Sequence, residues 1–396
     1  MVTNNLSPSA ESTGGVVAPG ASHRSLGLDL VRATAIMLVL ISHCGDFFSS
    51  WLNLQPPALG SLAGFFGVEL FFVLSGFLIG GLLIDIADTR PGYGTWAVFM
   101  ARRWLRTLPL YFVWLVVLFL IWPPHFWELD RSSVWRDALY YGSLTQNLAW
   151  PMVDAWFSVS WSLTVEEWFY LSFSALFLGC AVMLGRRRGL LIALAVFLLV
   201  PPILRCLAFA GDDVSETIRK AALFRLDAIA FGVAMTWINA TWRLDRRMPY
   251  PLLAAGISLI MFIWLGGLGA LTVLGDDFRE RVLLFELTSL GFVLCLPASL
   301  RLVSAARPFT ACLQAISAQS YCIYLIHLTV LEMTDFYRVP WHMPVAVCIA
   351  ADLIIIWAVS YVSYRWFEKP ILAMRPRQAR VTTAGELRNL EFSNVR

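Results

Sequence analysis

The chain has 396 residues, of which 58% are hydrophobic and only 14% are charged, and its formal net charge is +3. A soluble globular protein carries about 25% charged residues, so this composition excludes an ordinary soluble protein and indicates an integral membrane protein. The small net charge gives no reason to expect a nucleic-acid partner, and membrane lipids are the expected surroundings.

Apolar runs long enough to cross a bilayer, which takes about 20 residues, recur along the sequence. They predict an all-α, polytopic membrane bundle of about ten transmembrane helices. The predicted spans are 28–49, 62–84, 104–122, 159–183, 190–210, 222–240, 251–273, 282–303, 313–335 and 344–366. Residues 1–24 lack the apolar core of a signal peptide and are expected to form a disordered cytoplasmic tail. The membrane domain is expected over residues 25–370, and a short cytoplasmic tail over residues 371–396.

Basic residues alternate between the connections of these spans. Cytoplasmic connections are enriched in Lys and Arg, so the pattern predicts a multi-pass protein of the cytoplasmic (inner) membrane with both termini in the cytoplasm. The arginines of the second, fourth, sixth and eighth connections are Arg90, Arg102, Arg103, Arg186, Arg187, Arg188, Arg243, Arg246, Arg247, Arg301 and Arg307.

The first span carries Arg32 near its cytoplasmic end and His43 near its outer end. The two residues are eleven positions apart, roughly 16 Å along a helix. Ionisable groups within a membrane are expensive, so they mark functional sites. We therefore predict a binding site for a donor substrate at Arg32, near the cytoplasmic face, and a reaction centre at His43.

Three carboxylates lie at a depth similar to that of His43 when depth is calculated from the predicted direction of each span and the rise of a helix. They are Glu69 in the second span, and Glu166 and Glu167 in the fourth. A carboxylate beside a histidine fixes its tautomer and stabilises the imidazolium, which is what a general base requires. The alternative is a buried polar network that only joins helices.

Four arginines gather at the cytoplasmic face, and we call Arg32, Arg102, Arg103 and Arg106 the arginine cluster. Planar guanidinium groups grip phosphate in a bidentate manner, which favours an anionic cofactor. The alternative is ordinary positive-inside charge in contact with lipid headgroups. Ser75 in the second span is included among the cofactor-binding candidates.

The second span also contains Gly76-x-x-x-Gly80, a spacing that permits close helix approach. The long connection over about 123–158 is expected to be extracytoplasmic and is rich in aromatic residues. These residues form either an interfacial belt or a lid over a flat acceptor.

Arg225 and Asp227 are two positions apart and do not face each other on a helix, so each needs another partner, for which the acceptor is a candidate. His327 in the ninth span either lines a channel between the two sites or makes a helix–helix hydrogen bond. The seven cysteines form no CxxC pair, so neither a zinc site nor a disulfide framework is expected.

Six short motifs in order resemble those of the acyltransferase 3 family, over nearly the whole chain from residue 28 to 370. They are Arg32 with His43, the run at 67–77, Arg103-Trp-Leu-Arg106, the run Trp-Ser-Leu-Thr-Val-Glu-Glu-Trp-Phe-Tyr at 161–170, the Tyr-Leu-Ile-His that ends at His327, and Phe-Glu-Lys-Pro at 367–370.

The resemblance implies transfer of an acyl group, usually acetyl, from cytoplasmic acyl-CoA to a hydroxyl. The acceptor would be a polysaccharide, a glycolipid or a glycosylated natural product. His43 would be the catalytic residue, with Glu166 the better candidate of the adjacent pair. We assign Trp161, Arg225, Asp227 and His327 to acceptor binding. Some relatives carry a further hydrolase domain after the membrane part; here a short charged tail follows, so handover is expected within the membrane domain.

Placing the CoA phosphates on Arg32, Arg103 and Arg106 lets the slender pantetheine arm extend toward His43. We predict direct attack by the acceptor hydroxyl, with an acyl-histidine intermediate as the alternative. A transporter or flippase is the competing class, since ten spans with glycine-interrupted helices and buried ionisable groups suit one, although no two-half symmetry is visible. A non-catalytic membrane receptor is the third.

Overall fold

The computed structural model of the protein describes residues 25–54, 60–89, 91–121, 131–153, 156–208, 217–266 and 282–376. Within these ranges the chain is helical and has no β-strand, which confirms the predicted all-α class. The expected tail 1–24, most of the tail 371–396 and part of the connection 123–158 lie outside the described residues. The helices are α1 (Leu26–Trp51), α2 (Gly60–Thr89), α3 (Tyr93–Ile121), α4 (Arg131–Gly142), α5 (Trp161–Leu184), α6 (Arg186–Leu207), α7 (Leu226–Trp242), α8 (Leu244–Arg247), α9 (Pro249–Trp264), α10 (Leu284–Ser299), α11 (Arg307–Arg338), α12 (Val345–Val362) and α13 (Lys369–Ala373).

Seven helical segments of the described chain are long and apolar enough to cross a membrane. They contain α1, α2, α3, α5, α6, α11 and the continuous stretch from α12 to α13. The other three predicted spans coincide with α7, α9 and α10, which have only 16 or 17 residues. A helix of that length is shorter than the roughly 20 residues that a bilayer requires. The chain between α9 and α10, residues 267–281, is not described.

Helix α2 occupies the middle of the bundle, between α1 on one side and α7 on the other. Helix α1 in turn packs between α2 and α11, α5 packs against α6, and α9 packs against α10. This order places the residues of α1, α2, α3, α5 and α11 around one common interior, where the candidate site lies.

The predicted close approach at the glycines of α2 is confirmed, and its partner is α7. A Cβ atom on Gly76 would lie 1.8 Å from the carbonyl oxygen of Ile229, and one on Gly232 would lie 2.1 Å from that of Val73. A Cβ on Gly80 would lie 3.1 Å from the Cα of Val233. The backbones of α2 and α7 therefore touch, and only glycine fits at the crossing.

We expect Gly76→Ala to destabilise the protein by about 1–3 kcal/mol or more, because the added methyl group meets backbone atoms that cannot give way. Gly81→Ala is the matched control, since its Cβ would find its nearest neighbour 3.8 Å away. Thermal unfolding of the detergent-purified variants measures the difference. Equal melting temperatures for the two variants would contradict the packing described here.

The expected connection 123–158 contains α4, and its described part has both buried and exposed aromatic side chains. Tyr141 and Trp156 are buried, and the hydroxyl of Tyr111 on α3 donates a hydrogen bond to the carbonyl of Tyr141 at 2.8 Å. Trp135 and Trp150 are exposed. The buried group anchors α4 to α3, while the exposed group stays compatible with either a belt or a lid.

Candidate active site

A histidine pair links α1 to α11. His43 Nδ1 lies 2.7 Å from His327 Nε2, and the two rings are stacked at 9° with centroids 5.0 Å apart. His327 is fully buried, whereas His43 is partly exposed. Of the two roles considered for His327, the structure shows the helix–helix hydrogen bond, with His43 as its partner.

The hydrogen bonds of His327 determine the protonation pattern of the pair. His327 Nδ1 faces the carbonyl oxygens of Ile323 at 3.1 Å and Tyr324 at 2.9 Å. Carbonyls only accept, so this nitrogen carries the hydrogen and Nε2 of the neutral ring is an acceptor. His43 must then donate from Nδ1, which leaves its Nε2 with a free lone pair. Within the described residues, no hydrogen bond occupies that nitrogen.

The structure does not bring the predicted carboxylates to His43. Glu166 Oε2 accepts a hydrogen bond from the Tyr170 hydroxyl at 2.9 Å, and that hydroxyl lies 2.5 Å from Ser75 Oγ. The depth estimate gave the level of Glu166 along its helix but not the direction in which the side chain points. The predicted pairing of Glu166 with His43 is therefore corrected.

Glu167 points in a different direction from Glu166, since adjacent helical residues are about 100° apart. Its Oε1 accepts a hydrogen bond from Thr107 at 2.5 Å, and the hydroxyl of Tyr321 donates to the carbonyl of Thr107 at 2.6 Å. This contact joins α5 to α3 and α11. Glu167 contacts neither histidine and does not itself line the pocket described next, although its partner Thr107 does.

A pocket lies between α1, α2, α3, α5 and α11, with about 790 Å³ of empty space that includes its opening to solvent. Its lining includes Ser162, Glu166 and Tyr170. These residues are four positions apart, so they form one face of α5 that is about 12 Å long.

Three members of the arginine cluster line this pocket, namely Arg32, Arg103 and Arg106. The guanidinium of Arg103 lies 6.0 Å from the centre of the Tyr170 ring, and Arg32 donates a hydrogen bond to Ser317 Oγ at 3.0 Å. Within the described residues neither Arg103 nor Arg106 has a carboxylate within ion-pair distance. The structure thus brings these three arginines together at one pocket.

The fourth member, Arg102, does not line the pocket. Its guanidinium donates a hydrogen bond to the carbonyl of Pro376, beyond the last helix. Ser75, predicted as a donor-site residue, does line the pocket, beside Tyr170.

Tyr324 stands between the pocket and the histidine pair. Its hydroxyl lies 2.8 Å from Ser162 Oγ, and both side chains line the pocket. On its other side the Tyr324 ring centre is 5.9 Å from that of His327. The far end of the pocket is therefore one side chain away from the histidines.

A buried network of charged side chains lies apart from the pocket. It includes Glu69, Arg225 and Asp227, which were predicted to be catalytic or to bind the acceptor. Arg225 forms an ion pair with Glu69, whose Oε2 also accepts a hydrogen bond from Ser289 at 2.9 Å. Arg205 contacts Asp227 at 2.5 Å and Glu286 at 2.6 Å.

The network corrects the predicted partners of Glu69, Arg225 and Asp227. Glu69 does not contact His43, and the partners of Arg225 and Asp227 are protein side chains of α2, α6 and α10 rather than a vacant acceptor subsite. Trp161 is also buried in the core, with the Arg219 guanidinium 6.0 Å over its ring.

Sequence reasoning missed several residues that complete these sites. Tyr170 and Tyr324 line the pocket, and Arg205 and Glu286 complete the charge network. Arg205 is a charge within an apolar run, which alone marks a residue that needs a buried partner. In the described residues no group of three or more His, Cys, Asp or Glu side chains is placed to hold a metal ion.

Comparisons with known proteins give matches over most of the chain. The family model described as "Acyltransferase domain" matches residues 25–364. O-acetyltransferase OatA of Staphylococcus aureus (strain NCTC 8325) is 25% identical over 371 residues, covering 87% of this chain and 57% of the relative. Putative peptidoglycan O-acetyltransferase YrhL of Bacillus subtilis (strain 168) is 27% identical over 390 residues, covering 88% of this chain and 55% of the relative. The chain thus spans just over half the length of these relatives. No solved structure matches it significantly.

Proposed function

The chain belongs to the acyltransferase 3 family, and from this premise we propose that it is a multi-pass membrane O-acyltransferase. It transfers an acyl group, which we propose is acetyl, from acyl-CoA to a hydroxyl of a carbohydrate or glycosylated acceptor. The observation that carries the proposal is a pocket lined by Arg103 and Arg106, which form no ion pair within the described residues. Its far end approaches a histidine with a free ring nitrogen. The Bacillus subtilis relative is named a putative peptidoglycan O-acetyltransferase, which favours a carbohydrate acceptor.

The donor binds at Arg32, Arg103 and Arg106, which we place at the cytoplasmic face of the inner membrane. Arg103 and Arg106 hold phosphate oxygens of the nucleotide through charge-assisted hydrogen bonds, with Arg32 beside them. The pantetheine arm follows the face of α5 from Tyr170 to Ser162. The acyl carbonyl then stops near Tyr324, next to the histidine pair.

The acceptor hydroxyl approaches the exposed side of His43. His43 Nε2 takes the hydroxyl proton while the oxygen adds to the thioester carbonyl. The tetrahedral intermediate collapses with cleavage of the carbon–sulfur bond, and the CoA thiolate takes the proton from the imidazolium. An ester and free CoA are the products. This route requires the Tyr324 side chain to turn aside, because its ring separates the pocket from His327.

His327 and Glu166 support this step from a distance. His327 holds His43 in the tautomer with a free Nε2 and shares the positive charge that develops on the pair. Glu166, fixed by Tyr170 and Ser75, lies in the pocket among the arginines and orients polar groups of the donor arm. We therefore propose His43 as the catalytic base and His327 as a positioning residue.

Incubation of purified protein with radiolabelled acetyl-CoA and peptidoglycan or polysaccharide fragments tests the proposal. Label that moves to the carbohydrate supports an O-acetyltransferase. Uptake of label by proteoliposomes without transfer would instead indicate a transporter. Label that becomes bound to the protein before acceptor is added would replace direct attack by an acyl-histidine intermediate.

We expect Arg103→Ala to raise the Kd and KM for acyl-CoA by roughly 10- to 100-fold, with kcat at saturating donor little changed. A hydrogen bond to a charged group contributes about 1.5–3 kcal/mol, and each 1.4 kcal/mol is tenfold in affinity. Isothermal titration with CoA and steady-state kinetics give the two constants.

Arg186→Ala is the matched control for Arg103→Ala, since Arg186 is half-exposed and paired with Asp88 outside the pocket. A fall in kcat with an unchanged KM in Arg103→Ala would argue against a donor-binding role.

A further inference from the structure

After α12 the chain passes back to the end of the bundle where Arg102, Arg103 and Arg106 lie, which we call the arginine end. Helix α13 packs against α3, and the described chain ends at Pro376, whose carbonyl accepts a hydrogen bond from Arg102. This segment lies beyond residue 364, where the match to the family model stops. Arg102 therefore fixes a C-terminal segment beside the arginines of the pocket.

Arg375 is the charged residue that this segment brings to the arginine end. Its side chain is partly buried, and its Nε and Nη2 atoms are buried without a hydrogen-bond partner in the described part of the chain. Burial, together with the charges of Arg106, Arg103 and Arg102, lowers the pKa of Arg375 to about 10. The guanidinium is still protonated at neutral pH.

Within the described residues, no carboxylate forms an ion pair with Arg375. Glu368 is the acidic residue that acts on it electrostatically, and its Oε2 already accepts a hydrogen bond from the Cys322 thiol at 3.1 Å. Buried cations that are neither paired nor hydrogen-bonded carry a large desolvation penalty. Glu166 and Glu368 balance the converging guanidinium groups only in part. The remaining positive charge favours an anion with more than one negative group.

We propose that Arg375, held in place through Arg102, completes a phosphate-binding site with Arg103 and Arg106 that takes the nucleotide phosphates of the acyl donor. The proposal rests on the proposed function, because it assigns a further residue to the same donor. A CoA nucleotide carries a pyrophosphate and a separate 3′-phosphate, which is more charge than Arg103 and Arg106 neutralise. The phosphate of a lipid headgroup is the other source of the same chemistry.

Arg375→Gln tests the proposal, with Arg365→Gln as the matched control, since Arg365 is exposed on the same C-terminal segment. Titration of detergent-purified protein with CoA, with dephospho-CoA and with pantetheine separates the phosphate groups. We expect Arg375→Gln to weaken CoA binding roughly 10-fold and to leave pantetheine binding unchanged. Arg365→Gln should bind all three as the unaltered protein does, and equal melting temperatures show that both variants are folded.

The outcomes separate this inference from the proposed function. If the unaltered protein binds CoA and Arg103→Ala weakens it, but Arg375→Gln matches Arg365→Gln, only the role of Arg375 is overturned. If the unaltered protein binds no CoA, the donor assignment falls and the role of Arg375 falls with it. If Arg375→Gln loses binding to phosphatidylglycerol vesicles but keeps full CoA affinity, the anion is a lipid headgroup and the inference is also overturned.

Discussion

His43→Ala abolishes acyl transfer, with kcat falling by about 10²- to 10⁴-fold, the usual contribution of a general base. The reason is that Nε2 of His43 is the free imidazole nitrogen of a pair whose other polar atoms are engaged. Binding of CoA stays near that of the unaltered protein, because His43 does not line the pocket. Transfer of radiolabel and titration with CoA measure the two effects separately.

His342→Ala is the matched control for His43→Ala. His342 is exposed between α11 and α12 and contacts neither the pocket nor the histidine pair. It should retain full activity. A His43→Ala protein that folds, binds CoA and still transfers acetyl at the normal rate would remove the proposed base.

The partner histidine extends this prediction. His327→Ala removes the acceptor of the His43 Nδ1 hydrogen, so the ring loses its fixed tautomer and its stacked neighbour. We expect a smaller loss of kcat than for His43→Ala, with no change in the KM for acyl-CoA. Residues that act as a unit are not additive, so the double variant should be no slower than His43→Ala alone.

The sequence was sufficient for the class of fold and for one half of the site. Apolar runs predict helices because a bilayer leaves the backbone no other means of satisfying its hydrogen bonds. Arg32, Arg103 and Arg106 could be grouped because basic residues concentrate at one face of the membrane, and all three line the pocket. The close contact of α2 could likewise be predicted from the spacing of Gly76 and Gly80.

The other half of the site depended on side-chain direction, which depth along a helix does not provide. Glu69 was assigned a level near that of His43, yet it faces α7 and α10, where Arg225 and Ser289 lie. The pairing of His43 with His327 joins residues 284 positions apart and requires the rotation of both α1 and α11 to be known. One sequence without a set of packed neighbours does not determine these rotations.

The buried charge network has either a structural or a catalytic role, and a substitution of Glu69 distinguishes the two. Glu69 and Arg225 are both fully buried, and Arg225 also lies 4.2 Å from the centre of the Phe285 ring. Removal of one partner from a buried ion pair leaves an uncompensated charge, which destabilises a protein by about 3–5 kcal/mol. Neutral groups in place of both partners avoid that penalty. We therefore expect the network to join α2, α7 and α10 rather than to take part in proton transfer.

Glu69→Gln should consequently give little folded protein and a sharply lowered melting temperature, whereas the double variant Glu69→Gln with Arg225→Met regains much of that stability. Asp85→Asn is the matched control on α2, because Asp85 is exposed and should lose neither stability nor activity when neutralised. Thermal unfolding and activity per folded molecule are the measurements. A catalytic Glu69 predicts the opposite pattern, in which Glu69→Gln melts normally, transfers no acetyl and is not rescued by the second substitution. That result would return Glu69 to the reaction centre and leave the ion pair with Arg225 as a means of tuning it.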